Sequence, residues 1–455
     1  MNELQKILAA KKTENGDVAY KTTGDNLTDL FFMTPFFEKN LDQVKIGTSE
    51  KEKVFSMFVR DPRFGLGRRD LGRKLMELSD VAAPNIVKAG RYDDLWHIPT
   101  QDNLEFLRIS AQFGNNELAK KWLPRLTGKD KRIAKALCKM WKLTEKEYRA
   151  LIKTDSTTEY KLSYAEKQEG TPLNELFDKG EYKHPLVDKI EFDQVPSLAM
   201  TKYLHTFSTR DDLKERFGEY IAKVKEGKAK VNTSTADVYD GYKTAVRGET
   251  NEAKEVIANK IVDDKTIGVE MNAICIVDSS GSMGWHLNYE NSLLGRAYAI
   301  AYGIATKSTY APNQVISFSS TPQLMTIKGN TLKEKYNSMY TGDCSNTDFG
   351  RVMDLLAGLK KYPEYLIVLS DMEFDYGSNQ SKQETMKIFK QHGAETKIIW
   401  WNLNDRNKTV PEFDEYGNIY LSGYNLQILK LLENKFDMTT YIDKILADYK
   451  KKVGI

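Results

Sequence analysis

Apolar and polar positions fall into two different rhythms along this chain. Beyond about residue 270, short unbroken apolar runs alternate with stretches whose apolar residues recur at three- and four-residue spacing. The runs predict strands over Asn272–Asp278, Gln314–Phe318, Tyr365–Leu369, Thr396–Trp401 and Ile419–Ser422. The recurring pattern predicts helices over Ser292–Thr306, Phe349–Leu359, Lys382–His392, Leu426–Leu432 and Thr439–Tyr449. Continuous apolar strands separated by amphipathic helices imply a parallel sheet covered on both faces. Residues 266–455 are enough for one doubly wound α/β domain of this kind.

Residues 1–265 lack such runs and read as helical almost throughout. Leu104–Phe113, Glu117–Leu126, Lys131–Trp141 and Glu145–Thr154 each carry one apolar face, with short links between them. That pattern predicts antiparallel helix pairs stacked as an α-solenoid. The polar segment 155–192 reads as a loop or insertion in the array. Ala229–Ala245, with its Asn-Thr-Ser-Thr cluster, is expected to carry a functional loop ahead of the second domain.

Composition narrows the class. The 455 residues hold 67 Lys+Arg against 64 Asp+Glu, a net charge of +3. All of that surplus lies before Met271, concentrated in Asn116–Lys153. So small a net charge does not announce nucleic acid, although a local basic stripe can. No stretch approaches the ~20 apolar residues of a membrane span, and Met1-Asn-Glu-Leu-Gln-Lys6 lacks the apolar core of a secretory signal. Cys138, Cys275 and Cys344 are odd in number and far apart, and the five His are scattered. Neither a disulfide framework nor a zinc site is expected, and the expected compartment is reducing and cytoplasmic.

The candidate chemistry begins at Asp278-Ser-Ser-Gly-Ser282, where the first strand ends. A carboxylate and two hydroxyls at i, i+2 and i+4 then stand at the carboxyl end of a parallel strand, where open α/β sheets bind ligands. Hard oxygen donors suit Mg²⁺ or Mn²⁺. Thr347-Asp348 precedes a helical pattern, and Asp371 follows the third strand, so two further oxygen donors fall at the same sheet end. The bland alternative is a nucleophile elbow or a plain strand-turn-helix junction rich in small residues.

Asp-x-Ser-x-Ser, followed by Thr347 and Asp371 in that chain order, resembles the metal-ion-dependent adhesion site (MIDAS) of von Willebrand factor A (vWA) domains. The resemblance implies a metal held by the hydroxyls of Ser280, Ser282 and Thr347, with Asp278 and Asp371 acting mostly through waters. It implies a coordination position open to an acidic side chain from a protein partner. Asp343 and Asp348 are set outside the ligand set, and Asp278 is taken as an exposed loop carboxylate whose loss barely affects the fold.

Several phrases of the first half are similar to the TROVE module of Ro-type RNA-binding proteins. They include Val59-Arg-Asp-Pro-Arg-Phe-Gly-Leu-Gly-Arg-Arg-Asp70, with Arg68 where an acidic residue is usual, and Gly90-Arg-Tyr-Asp-Asp-Leu95. Lys129-Asp-Lys-Arg-Ile-Ala-Lys135, Leu143-Thr-Glu-Lys-Glu-Tyr-Arg149 and Val195-Pro-Ser197 also have counterparts there. Ser370-Asp-Met-Glu-Phe-Asp375, Ile398-Ile-Trp-Trp-Asn-Leu403 and Asn15-Gly-Asp-Val-Ala-Tyr20 look like an uncharacterised Ro-related family found in plants and bacterial viruses. The resemblance implies a HEAT-like helical ring or horseshoe (residues 1–265) followed by a vWA-like domain (266–455). It also implies binding of small noncoding RNA, including single-stranded ends, as a ribonucleoprotein scaffold or RNA quality-control protein.

The residue-level reading is compatible with that. Arg60, Arg63, Arg68, Arg69, Lys120, Lys121, Lys129, Lys131, Arg132 and Lys135 are candidates for phosphate contacts, which need no base readout. Asp61 and Asp70 read as internal partners of neighbouring arginines. The bland alternative is that these cations line solvated helix faces, leaving a metal-dependent protein adaptor without RNA. No DNA or membrane partner is expected. Nor is an enzyme: the chain has no phosphate-binding Walker loop, and no Gly-x-Ser-x-Gly surrounds Ser280.

Overall fold

The all-apolar run read as the first strand is β1, Ala273–Asp278, and it is buried at every position. The others are β2 (Gln314–Phe318), β3 (Gln323–Thr326), β4 (Tyr365–Ser370), β5 (Lys397–Asn402), β6 (Glu412–Phe413) and β7 (Ile419–Ser422). They form one sheet of order β3-β2-β1-β4-β5-β7-β6. β1 pairs in parallel with β2 on one side and β4 on the other, in register Cys275↔Val315 and Cys275↔Ile367. Only β3 and β6 run antiparallel, against β2 and β7. The chain steps outward from β1 to β2 and β3, then returns to the far side of β1 as β4. The topological switch point therefore lies between the carboxyl ends of β1 and β4, the place where such sheets bind ligands.

The computed structural model describes residues 25–32, 34–152, 190–233, 236–266, 268, 270–284, 292–359, 361–372, 386–387, 389–391, 395–404, 412–413, 418–423 and 438–455. Leu426–Leu432, much of Lys382–His392 and most of 155–192 lie outside them. Two compact units emerge: Met1–Phe36, Ser197–Ser208 and Gly218–Tyr441 form one, and Phe37–Pro196, Thr209–Phe217 and Ile442–Ile455 the other. Both are discontinuous in sequence, and the expected boundary at 265/266 falls inside the first. Among the described residues no helix is long and apolar enough to cross a membrane.

Side chains alternate across the sheet. Ile274, Ile276, Val368, Ile398 and Trp400 join one core with Phe349, Val352, Met353 and Leu356 of the helix Phe349–Ala357. The helix Leu293–Ala305 is buried along most of its length, and its Tyr298 hydroxyl shares a 2.9 Å hydrogen bond with Ser317 Oγ of β2. The edge strand β3 went unread because Gln323-Leu-Met-Thr326 is mostly exposed and shows no apolar alternation. The irregular part of the segment Ala229–Ala245 ends at Asp237, which caps a buried helix, Val238–Val246.

The described part of the second unit is helical, and the basic Val59–Asp70 stretch is a close connection within it. The helices Glu50–Arg60 and Arg69–Leu78 approach so closely that a Cβ on Gly72 would lie 2.6 Å from Arg60 Cα. Between them Leu66 N donates to Phe58 O at 2.9 Å, and Gly67 takes φ +68°, a conformation that favours glycine. Of the expected helices, Leu104–Phe113 is Gln101–Arg108 followed by a π-turn, and Glu117–Leu126 shortens to Glu117–Lys121. Lys131–Met140 and Glu145–Leu151 lie close to expectation.

Candidate metal site and basic surface

Asp278 ends β1 and is fully buried, which corrects its reading as an exposed loop carboxylate. Its Oδ1 accepts from Ser280 N at 2.9 Å and its Oδ2 from Ser370 Oγ at 2.6 Å. Burial pushes the carboxyl up to about 6, against the hydrogen bonds from Ser280 and Ser370, and the Asp371 carboxylate raises it further. A cation beside it would reverse that shift, because it favours the charged form.

Ser280 is buried and Ser282 is exposed, yet their hydroxyl oxygens lie 3.1 Å apart. Mg²⁺–O bonds of about 2.1 Å at right angles would put two ligand oxygens about 3 Å apart. The spacing therefore fits adjacent ligands on one ion. Asp371 is buried at the first position after β4, close enough for its charge to act on Asp278. Thr347 is also buried, in the loop that precedes the helix Phe349–Ala357.

Hydrogen bonds bring these loops together. Ser279 Oγ lies 3.0 Å from Phe318 O and 3.1 Å from Asp343 O, Ser319 Oγ donates to Asn346 O at 2.7 Å, and Asp348 N donates to Ser319 O at 3.1 Å. Asp343 holds the Ser345 N–H and hydroxyl, and these bonds keep its carboxyl below the ordinary range. Asp348 caps the following helix. Ser279, Ser319 and Ser370 escaped the sequence reading. Their only signal is a hydroxyl at or just past the end of an apolar strand. Among the described residues no three His, Cys, Asp or Glu gather to hold a metal, so a site here depends on hydroxyls and two carboxylates. That hard oxygen set fits Mg²⁺ or Mn²⁺ rather than a thiolate- or imidazole-preferring ion.

The basic candidates separate on burial. Arg60 is 3% exposed and lies 2.8 Å from Asp94, itself fully buried. It is a structural cation, which removes it from a phosphate-binding surface. Asp94 also takes Arg73 Nε at 2.5 Å, and Asp93 takes Arg73 Nη2 at 3.0 Å and Arg91 Nε at 3.2 Å. A Cβ on Gly90 would meet Asp94 Oδ2 at 2.0 Å, so the Gly-Arg-Tyr-Asp-Asp-Leu phrase is an arginine-binding knot. Arg63 is exposed and bound to Asp61, which is buried and also accepts the Tyr449 hydroxyl. Arg68 pairs with Glu38 at 3.3 Å, and Arg69 is exposed. Asp70 is exposed, 3.8 Å from Arg73.

Lys120 is held by Glu117, and Lys121 lies 5.8 Å from the Trp122 ring centre. Lys129, Lys131, Arg132 and Lys135 are all exposed on or beside the helix Lys131–Met140, with Lys135 paired to Glu145 at 3.3 Å. Trp96 is packed, donating to Trp122 O, and Trp400 and Trp401 are both core.

Residues 272–452 match one family described as a domain of unknown function (DUF7788), and residues 101–247 match another so described (DUF2828). An uncharacterized protein of Acanthamoeba polyphaga mimivirus is 23% identical over 514 residues, covering 96% of this chain and 87% of that protein. The crystal structure of the RO (RSR) protein of Deinococcus radiodurans aligns at a TM-score of 0.43 and 12% identity, over 96% of this chain and 95% of that one.

Proposed function

We propose that this chain is an RNA-binding scaffold whose sheet domain carries a divalent metal site for a protein partner. The observation that supports RNA binding most is the row Lys129, Lys131, Arg132 and Lys135, four exposed cations of which one pairs with an acid among the described residues. Such a row neutralises phosphates and gains from counterion release without reading bases. The metal reading rests on the Ser280–Ser282 hydroxyl pair beside buried Asp278. When bound, the ion supplies positive charge for a partner's carboxylate; Ser280, Ser282 and Thr347 would hold it, with Asp278 and Asp371 behind them. No catalytic step is assigned.

A metal-dependent protein adaptor without RNA is the second reading. It is favoured by Ile109, Phe113 and Leu118, which are 50%, 69% and 51% exposed on neighbouring elements. Nucleic acid retained by the purified protein at near-physiological salt separates the two. Small RNAs that wash off as salt rises support the scaffold, and a preparation free of RNA at low salt overturns it.

A further inference from the structure

Arg247, Lys254 and Lys333 gather at one turn. The turn follows the helix Val238–Val246 and leads into the helix Glu252–Lys265. Lys254 Nζ donates to Glu249 O at 3.1 Å, and Lys333 Nζ donates to Gly248 O at 2.7 Å. These carbonyls are consecutive and directly follow Arg247, so two lysines from different helices converge on the turn that Arg247 opens.

Lys254 is 8% exposed. It stands in the first turn of a 14-residue helix, beside the positive end of the dipole, where cations are ordinarily disfavoured. Burial lowers its proton affinity, and the charges of Lys333 and Arg247 lower it further. Among the described residues neither lysine lies within 4.0 Å of a carboxylate. Of the acids nearby in sequence, Glu252 pairs with Lys225 and Glu255 Oε1 takes Leu332 N and Asn259 Nδ2, while Glu249 stands in the turn itself, its carboxylate beyond ion-pair distance of both lysines. Each ammonium has three donors and uses one here. Concentrated positive charge, unspent donors and a helix N-terminus together describe a receptor for an anion.

We propose that Arg247, Lys254 and Lys333 form a binding site for a phosphate group. The group is either a free phosphate or diphosphate, or a phosphodiester of a nucleic acid strand. This inference is independent of the RNA reading, since the first source needs no nucleic acid.

Calorimetry on the full chain with sodium pyrophosphate, at ionic strength matched by sodium chloride, tests it. Wild type should bind, and Lys333→Met should weaken binding at least about tenfold, the loss of one charge-assisted hydrogen bond. Lys254→Met should weaken it as much, with circular dichroism confirming its fold. The half-buried Lys333 keeps the test valid even if Lys254→Met does not fold. A short single-stranded oligonucleotide that competes with pyrophosphate assigns the phosphodiester source, and failure to compete assigns the free one. Equal pyrophosphate affinity in wild type and Lys333→Met, or no binding to wild type, overturns the site.

Discussion

Ser370 Oγ donates a 2.6 Å hydrogen bond to Asp278 Oδ2, tying the end of β4 to the end of β1 across the switch point of the sheet. The carboxylate is thereby both a structural acceptor and the innermost oxygen donor of the candidate metal site.

Asp278→Ala should therefore cost more than a surface substitution. It leaves the buried Ser370 hydroxyl and the Ser280 N–H without their acceptor, worth about 1–3 kcal/mol. Urea unfolding of the metal-free protein measures this, and a change within about 0.5 kcal/mol would mean that the two buried donors find other acceptors.

Calorimetry at millimolar MgCl₂ or MnCl₂ should show one ion bound by wild type. Ser280→Ala should lose that ion at a modest cost in stability, because it removes the side-chain hydrogen bonds to Asp278 and Ser282 but leaves the backbone N–H at position 280 on Asp278 Oδ1. Metal binding that survives Ser280→Ala would place the ion elsewhere.

Asp237 gives a pH signature. Burial, then the Asp240 carboxylate, pushes its carboxyl up to about 6. Since the folded value lies above the unfolded one, its stabilising effect is complete below about pH 4 and is lost as pH rises through about 6. Asp237→Asn keeps an acceptor for Asp240 N, now 2.8 Å from Asp237 Oδ1, and removes the charge. The variant should be more stable than wild type at pH 7, by about 1–2 kcal/mol, and should vary less between pH 4 and 6. A parallel pH–stability curve would show that the carboxyl titrates normally.

The arginine knot should behave as a folding element. Asp94→Ala strands buried Arg60 and should cost about 3–5 kcal/mol. Trp400→Ala should cost about as much through the cavity it leaves against Phe349. Denaturant midpoints check both; unchanged midpoints would mean that the surroundings close over either loss.

These two sites show where the sequence was legible and where it was not. Continuous runs such as Tyr365–Leu369 reveal strands because a sheet covered on both faces demands apolar residues throughout. Asp278-x-Ser-x-Ser282 reveals a site because small polar residues directly after such a run have few structural uses. Arg60 misled because burial is a long-range property: it is decided by Gly72, which lets the next helix close over it, and by Asp94, 34 positions away. The grouping of Ile442–Ile455 with residues from Phe37 onward is of the same kind, seen in Tyr449 donating to Asp61. Local periodicity carries no record of such pairings.

The basic row yields the last prediction. If Lys129, Lys131 and Arg132 each contact a phosphate, log K should fall with log salt by about 0.7 per contact on single strands. Reversing all three to Glu should remove about two units from that slope, nearly regardless of RNA sequence. Their exposure means that the fold should be untouched, whereas Arg60→Ala should destabilise the protein without a matching loss of slope. Structured RNAs with a free single-stranded end should bind more tightly than blunt duplexes. Filter binding across a salt series measures each of these, and a slope unchanged by the triple reversal would transfer the chain to the adaptor reading.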